Sequence, residues 1–144
     1  MPTTQDLIAK ASVTIDAPPS EVWAALVSPA AIKQYMFETD VRSDWKEGSP
    51  ITWSGEWQGR RYQDKGRIRQ VKPGRSLRYT HFSPVAGLRD TPENYHTVTI
   101  ELADVGRKTN VTLSQDNNST EAARKHSEKN WSAMLGALKN FVEK

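Results

Sequence analysis

Residues 120–144 read TEAARKHSEKNWSAMLGALKNFVEK. Trp131, Met134, Leu135, Leu138, Phe141 and Val142 recur at the spacing that turns one stripe of a helix toward a core. At ~1.5 Å per residue such a helix is roughly 37 Å long. Its two halves differ. Ahead of Trp131 stand Ala122, Ala123, His126, Ser127 and Asn130, all small or polar, so only the C-terminal half is suited to seal a dry core. Asn118 or Ser119 is the expected N-cap, with Glu121 placed for a capping-box-like contact. A single long helix laid on a broad antiparallel sheet has few ways to pack, and one of them leaves a cavity between the two.

The sheet is read from the stretch ahead of the helix, residues 38–117. ITWSGEW, residues 51–57, alternates Ile51, Trp53 and Trp57 against Thr52, Ser54 and Glu56. Gln58 and Gly59 form a tight hairpin turn into a strand over 61–71. Pro73 and Gly74 turn the chain again. Strands follow over 76–82, 95–104 and 108–115, with a loop rich in Pro, Gly and Asp from Ser83 to Asn94. A short strand is expected over 38–46. Before it, residues 7–15 alternate Ala11, Val13 and Ile15 with Ser12 and Thr14, another half-buried strand. Pro18 and Pro19 open a short helix carrying Val22, Trp23, Leu26 and Val27, and Ser28–Pro29 is the N-cap and first-turn signal of a second helix over 29–35.

Bulk properties narrow the function classes. A length of 144 residues fits one domain, expected to span 1–144, with one sizeable core. Net charge is +3, with a pI near 9.2 and a mean hydropathy of −0.71. That charge is too mild to imply nucleic acid. The chain has no cysteine, which excludes a disulfide framework, a thiolate metal site and a cysteine nucleophile. No apolar run is long enough to span a bilayer, and the N-terminal residues lack the basic and apolar regions of a signal peptide. A cytoplasmic location without membrane insertion is therefore expected. No phosphate-binding glycine loop, nucleophile elbow or His–Glu metalloprotease motif occurs, so no cofactor is expected.

The order strand, helix pair, run of antiparallel strands and long C-terminal helix is that of the helix-grip fold. IDAPPSEVWAAL at 15–26, the Ser28–Pro29 step, the Pro73–Gly74 turn, and Trp131 with Met134, Leu135 and Leu138 all resemble the START-like (SRPBCC, Bet v 1-like) superfamily. Within it the chain is most similar to the activator of Hsp90 ATPase homologue family. The resemblance implies an α+β fold in which about seven antiparallel strands curve around the helix and an apolar cavity. It also implies a range of activities, from ligand carriage and cyclisation to work with chaperones, because one fold hosts many functions.

Turn geometry allows a register to be drawn. A two-residue loop at Gln58–Gly59 sets Trp53 opposite Asp64. A four-residue loop at Pro73–Gly74 sets Ile68 opposite Leu77, and therefore Asp64 opposite His81. Pairing Leu77 with Ile100 sets Tyr79 opposite Val98 and His81 opposite His96. One row then runs Trp53, Asp64, His81, His96, beside a row of Gly66, Tyr79 and Val98, on the face the apolar residues assign to the interior. A carboxylate and two imidazoles there are costly unless paired or wet. Three readings follow: an Asp–His hydrogen bond satisfying itself near a solvated mouth, polar groups orienting a ligand, or an acid–base pair. Zinc is the weakest use, because the spacing matches no zinc motif.

The expected ligand is small and apolar or aromatic. Trp53, Trp57, Tyr79, Val98, Trp131, Met134 and Leu135 would line its cavity, and Asp64, His81 and His96 would supply polar contacts. Tyr62 is placed for a hydrogen bond at the entrance. Filling the cavity at Gly66 or Val98 should abolish binding. Two alternatives stand beside this reading. One is a chaperone-associated module with a protein partner, weakened by the lack of the second domain a full Hsp90 activator carries. The other is a cyclase- or hydrolase-like enzyme with His81 or His96 as base. Eight basic residues lie between Arg60 and Arg78 against the one acid Asp64. Lys65, Arg67, Arg69 and Arg78 fall by parity on the solvated face, where they discourage edge pairing. An acidic protein partner is the lesser reading of that stripe, and exposed aromatics for nucleic acid are lacking. The oligomeric state is left open.

Overall fold

The computed structural model describes residues 7–84 and 87–144, with the backbone alone at Trp57. Strand β1 (Ala9–Ile15) is followed by helices α1 (Pro19–Leu26) and α2 (Pro29–Tyr35), then by β2 (Asp40–Ser43), β3 (Pro50–Trp57), β4 (Arg60–Lys72) and β5 (Ser76–His81). A single 3-10 turn at Pro92–Asn94 precedes β6 (His96–Asp104), β7 (Thr109–Gln115) and α3 (Glu121–Glu143). The seven strands form one antiparallel sheet in the order β1-β7-β6-β5-β4-β3-β2. This is the α+β helix-grip architecture, and it matches the fold expected from the sequence.

Local chemistry fixes most boundaries. The Ser28 hydroxyl accepts from the Ala31 N–H at 3.3 Å and Pro29 starts α2, as the Ser–Pro step predicts. Gln58 and Gly59 both take left-handed backbone angles (φ 52° and 80°), the primed turn that a two-residue hairpin loop needs. The predicted 38–46 strand is only four residues long, because the backbone turns left-handed at Phe37 and Glu38 before it and at Trp45 after it.

The α3 stripe meets the sheet as its spacing requires. Met134, Leu135 and Leu138 are buried, and Trp131, Phe141 and Val142 pack half-buried around them. Leu135 and Leu138 are fully enclosed with Ile15, Val22, Ile68 and Leu113, each contributing about 1.5–3 kcal/mol through burial. The N-cap is Thr120, not Asn118 or Ser119: its hydroxyl accepts from the Ala123 N–H at 3.0 Å. Glu121 pairs with Arg124 rather than closing a capping box. Asn118 is buried and ties three segments together. Its amide donates to the carbonyls of Leu7 (2.8 Å) and Gln115 (3.1 Å), and its carbonyl accepts from the Ser127 hydroxyl (2.9 Å).

Three side chains of α3 reach the backbone of the edge strand β1. Glu128 accepts from the Lys10 N–H (2.9 Å), Glu143 accepts from the Asp16 N–H beyond the strand end (2.8 Å), and the Lys139 ammonium donates to the Thr14 carbonyl (2.9 Å). From the polar half of α3, Glu128 is thus engaged on β1 and Ser127 at Asn118.

The register agrees with the turn-based reading at β3–β4 (Trp53 opposite Asp64) and at β5–β6 (Leu77 opposite Ile100, Tyr79 opposite Val98, His81 opposite His96). It departs at β4–β5. Ile68 lies opposite Tyr79, not Leu77: the loop is three residues rather than four, with Lys72 opposite Ser76 and Val71 opposite Leu77, and the register then shifts between Ile68 and Gln70. That irregularity bends β4. Further along, pairing continues at Lys65 and Phe82, so Asp64 is a diagonal neighbour of His81 rather than its direct partner. Gly66 also falls outside its expected role. A Cβ there would stand 1.7 Å from the Thr80 carbonyl oxygen, so the residue marks a close approach of two backbones and offers no room on the cavity side.

Candidate functional site

Strands β3, β4 and β5 contribute aromatic and polar side chains to the concave face at the end of the sheet remote from β1. Trp53 is the centre. Its ring lies 5.2 Å from that of Tyr79 and 5.1 Å from that of His81, the latter edge-on. Such tilted and edge contacts suit aromatic quadrupoles. The His81 Nε2–H donates to Asp64 Oδ2 at 2.9 Å, with both side chains partly open (28% and 17% exposed).

These groups wall a cavity of about 390 Å³. Its other lining residues are Met36, Phe37 and Thr39 from the α2–β2 connection, Glu56, Tyr62, Ser83, and Trp131 of α3. Apolar surface dominates the wall, as expected of a small-molecule site of this size. Tyr62 shares a 2.9 Å hydrogen bond with Thr39, tying β4 to the α2–β2 connection at the cavity wall. Phe37 stands 70% exposed there.

Two polar atoms at the cavity have unmet hydrogen-bonding capacity. Asp64 Oδ1 is closed off from solvent and has no partner among the described residues. Such an orphan acceptor costs about 1–3 kcal/mol. The Tyr79 hydroxyl likewise makes no hydrogen bond to the described residues, and burial pushes its pKa well above the ordinary tyrosine value. By contrast the Tyr35 hydroxyl, whose pKa burial also raises, donates to the Ala25 carbonyl at 3.0 Å.

Of the residues expected at the site, Trp53, Asp64, Tyr79, His81 and Trp131 come together around the cavity. His96 does not reach it. Its ring stacks beside that of His81 at 6.2 Å, and its Nδ1–H donates to the Asp116 carbonyl at 2.9 Å, which turns the imidazole to a backbone acceptor. Val98, Met134 and Leu135 are buried in the core and are absent from the wall. The Trp57 side chain lies outside the described residues. From α3 only Trp131 lines the cavity, and its indole N–H donates to Gln115, which fixes the ring. No group of three His, Cys, Asp or Glu side chains converges on a possible metal position among the described residues.

Met36, Phe37, Thr39, Glu56 and Ser83 were not anticipated. Alternation assigns Glu56 to the other face; the rest lie in irregular segments where periodicity carries no information, although the exposed Phe37 just past a helix end is the trace such a rim leaves in a sequence.

On the opposite face, Lys65 pairs with Asp90, and the Tyr95 hydroxyl donates to the same carboxylate at 2.6 Å. The Lys65 hydrogen bond, and then that of Tyr95, hold the Asp90 carboxyl below the usual carboxylate range. Lys65, Arg67 and Arg69 border an open groove there, as parity predicts.

Residues 16–143 match the family model described as Activator of Hsp90 ATPase homolog 1-like protein. The chain belongs to that family. The solution structure of ChR145 from Cytophaga hutchinsonii is 53% identical to it, with a TM-score of 0.86 over 99% of this chain and 97% of that one. The Aha1 dimer from Colwellia psychrerythraea shares 19% identity and a TM-score of 0.73, covering 94% and 96% of the two chains. Ara h 8.0201 shares 9% identity with a TM-score of 0.74, again over 94% and 96%, and shows how widely the Bet v 1-like fold persists without sequence likeness. No curated protein matches the chain. Among the described residues of this Hsp90-activator-like chain, no helix is long and apolar enough to cross a membrane.

Proposed function

We propose that the chain binds a small apolar or aromatic molecule between Trp53, Tyr79, Trp131 and the α2–β2 connection. The observation that carries this reading is the cavity itself, about 390 Å³, walled by aromatic rings and by Asp64, one of whose oxygens is buried with no partner among the described residues. The family's fold commonly holds hydrophobic ligands, which agrees. A neutral solvatochromic dye such as Nile red should bind with a blue-shifted emission, and apolar aromatics should displace it. Ser83→Trp, which fills the cavity from an irregular segment, should abolish that binding while leaving the circular dichroism unchanged. Undiminished dye binding in the folded variant would refute the assignment.

The family match supports a second reading, a chaperone-associated module. It predicts that the chain binds Hsp90 and raises its ATPase rate, and that Ser83→Trp does not alter either effect. An enzymatic use of the Asp64–His81 pair requires that His81→Ala lose turnover of a cavity-bound substrate while retaining affinity for it.

A further inference from the structure

The polar end of the cavity constrains the charge of what it holds, and the following rests on the ligand-binding reading above. Asp64 Oδ2 is taken by His81, and Oδ1 is enclosed with no partner among the described residues. A carboxylate only accepts hydrogen bonds, so an occupant that meets the part of the Asp64 side chain open to the cavity must donate one. The His81 Nε2–H is already committed to Asp64 at 2.9 Å and is not free for a ligand acid.

The rest of the wall agrees. Lysine and arginine number 20 in the chain, yet among the described residues none lines this cavity. The basic residues of β4 that flank Asp64, namely Lys65, Arg67 and Arg69, border the groove on the other face. The other charged residue on the wall among the described residues is Glu56, also an acid, so the charges that meet an occupant are carboxylates. An anionic ligand would meet carboxylates with no lysine or arginine to compensate them. A hydrocarbon would offer the Asp64 carboxylate no donor. The ring faces of Trp53, Tyr79 and Trp131 favour a cation held among them.

We propose that the cavity selects aromatic amines, with the ammonium or amine N–H on Asp64 and the ring between Trp53 and Trp131, and that it rejects aromatic carboxylates. Three probes with one ring system separate the cases: naphthylmethylamine, methylnaphthalene and naphthoate, measured by calorimetry and thermal shift on the unaltered chain. The amine should bind at least about tenfold tighter than the hydrocarbon, as a charge-assisted hydrogen bond provides, and naphthoate should bind weakest. Asp64→Asn should bring the amine within about threefold of the hydrocarbon, whose own affinity, unchanged, reports an intact cavity. Naphthoate binding as tightly as the amine would overturn the proposal and leave the cavity reading standing. An amine preference that survives Asp64→Asn would overturn it too. If none of the probes binds and Nile red does not either, both readings fall.

Discussion

Asp64 and Lys65 are neighbours in β4, and strand alternation sends them to opposite faces of the sheet. Each finds a charged or ionisable partner, Asp64 at His81 and Lys65 at Asp90. The pairs differ in surroundings. The Asp64–His81 side chains are 17% and 28% exposed and sit against Trp53, whereas Lys65 and Asp90 are close to half exposed. Water screens the second pair and dissipates most of its attraction. The first pair has lost much of its water, so its geometry is held and any unpaired atom remains a liability. One face of β4 therefore stores an unsatisfied acceptor, while the other has only solvated charge.

The largest effect should come from the residue that presses the two strands together. Gly66→Ala should destabilise the fold by about 3 kcal/mol or more, since the added methyl collides with the Thr80 carbonyl oxygen, a backbone atom. A denaturation midpoint near that of the parent chain would show that the strands are not locked and that the faces need not be compared as fixed. Next, His81→Ala leaves the Asp64 carboxylate without its one partner and should cost about 1–3 kcal/mol, much of it recovered by adding Asp64→Asn. An effect no larger than that of Lys65→Ala would erase the distinction between the faces.

The two buried tyrosines sharpen the same point at smaller scale. Tyr35→Phe removes a satisfied hydrogen bond and should cost about 0.5–1.5 kcal/mol, whereas Tyr79→Phe removes an unbonded hydroxyl and should cost less, with its effect seen in ligand affinity. Burial raises both pKa values above the ordinary 10.0, so the stability linked to them is fully present below 10.0 and is lost as pH rises toward the raised values. Tyrosinate absorbance should accordingly appear together with alkaline unfolding for these two residues. Lys65→Ala should shift the melting temperature least among the charge changes, and added salt should remove the difference. Its linked contribution from Asp90 is present above the ordinary carboxylate value of 3.8 and fades as pH falls through the lowered one. Smallest of all, Phe37→Ala should leave stability within about 0.5 kcal/mol, because this side chain is already 70% exposed, while weakening any ligand that Phe37 covers.

Which parts of this were legible in the sequence follows from where periodicity operates. Tight turns fixed the β3–β4 register, and regular alternation fixed β5–β6, so Trp53, Asp64, Tyr79 and His81 were grouped correctly. The β4–β5 register differs because the Pro73–Gly74 loop has three residues rather than four, and a shift inside the 13-residue β4, which leaves no mark in an alternating pattern, displaces it again. The Asp64–His81 contact survived that error, since a diagonal neighbour is still within reach of an imidazole. His96 was placed on the right strand position, yet the Asp116 carbonyl that captures it lies beyond the end of β7, where no pairing rule predicts an acceptor. Rim residues such as Phe37 and Ser83 lie in irregular backbone, where neither period of two nor of 3.6 applies. Trp131 was found because it starts the apolar stripe of α3. The polar half ahead of it was expected to leave room, and its Glu128 and Ser127 are instead tied to β1 and Asn118.

That last arrangement has a consequence for how copies of the chain meet one another. An outermost strand displays a row of open amide and carbonyl groups on which a second polypeptide could add itself, the first step toward runaway association. Here Glu128 and Lys139 occupy such groups on β1, and Glu143 does the same just beyond its end, so a carboxylate or an ammonium stands where an incoming strand would dock. The far edge, β2, offers only four residues. The helix that closes the core thus also acts as a guard against intermolecular sheet growth, and removing Glu128 and Lys139 together should be detected first as aggregation rather than as unfolding.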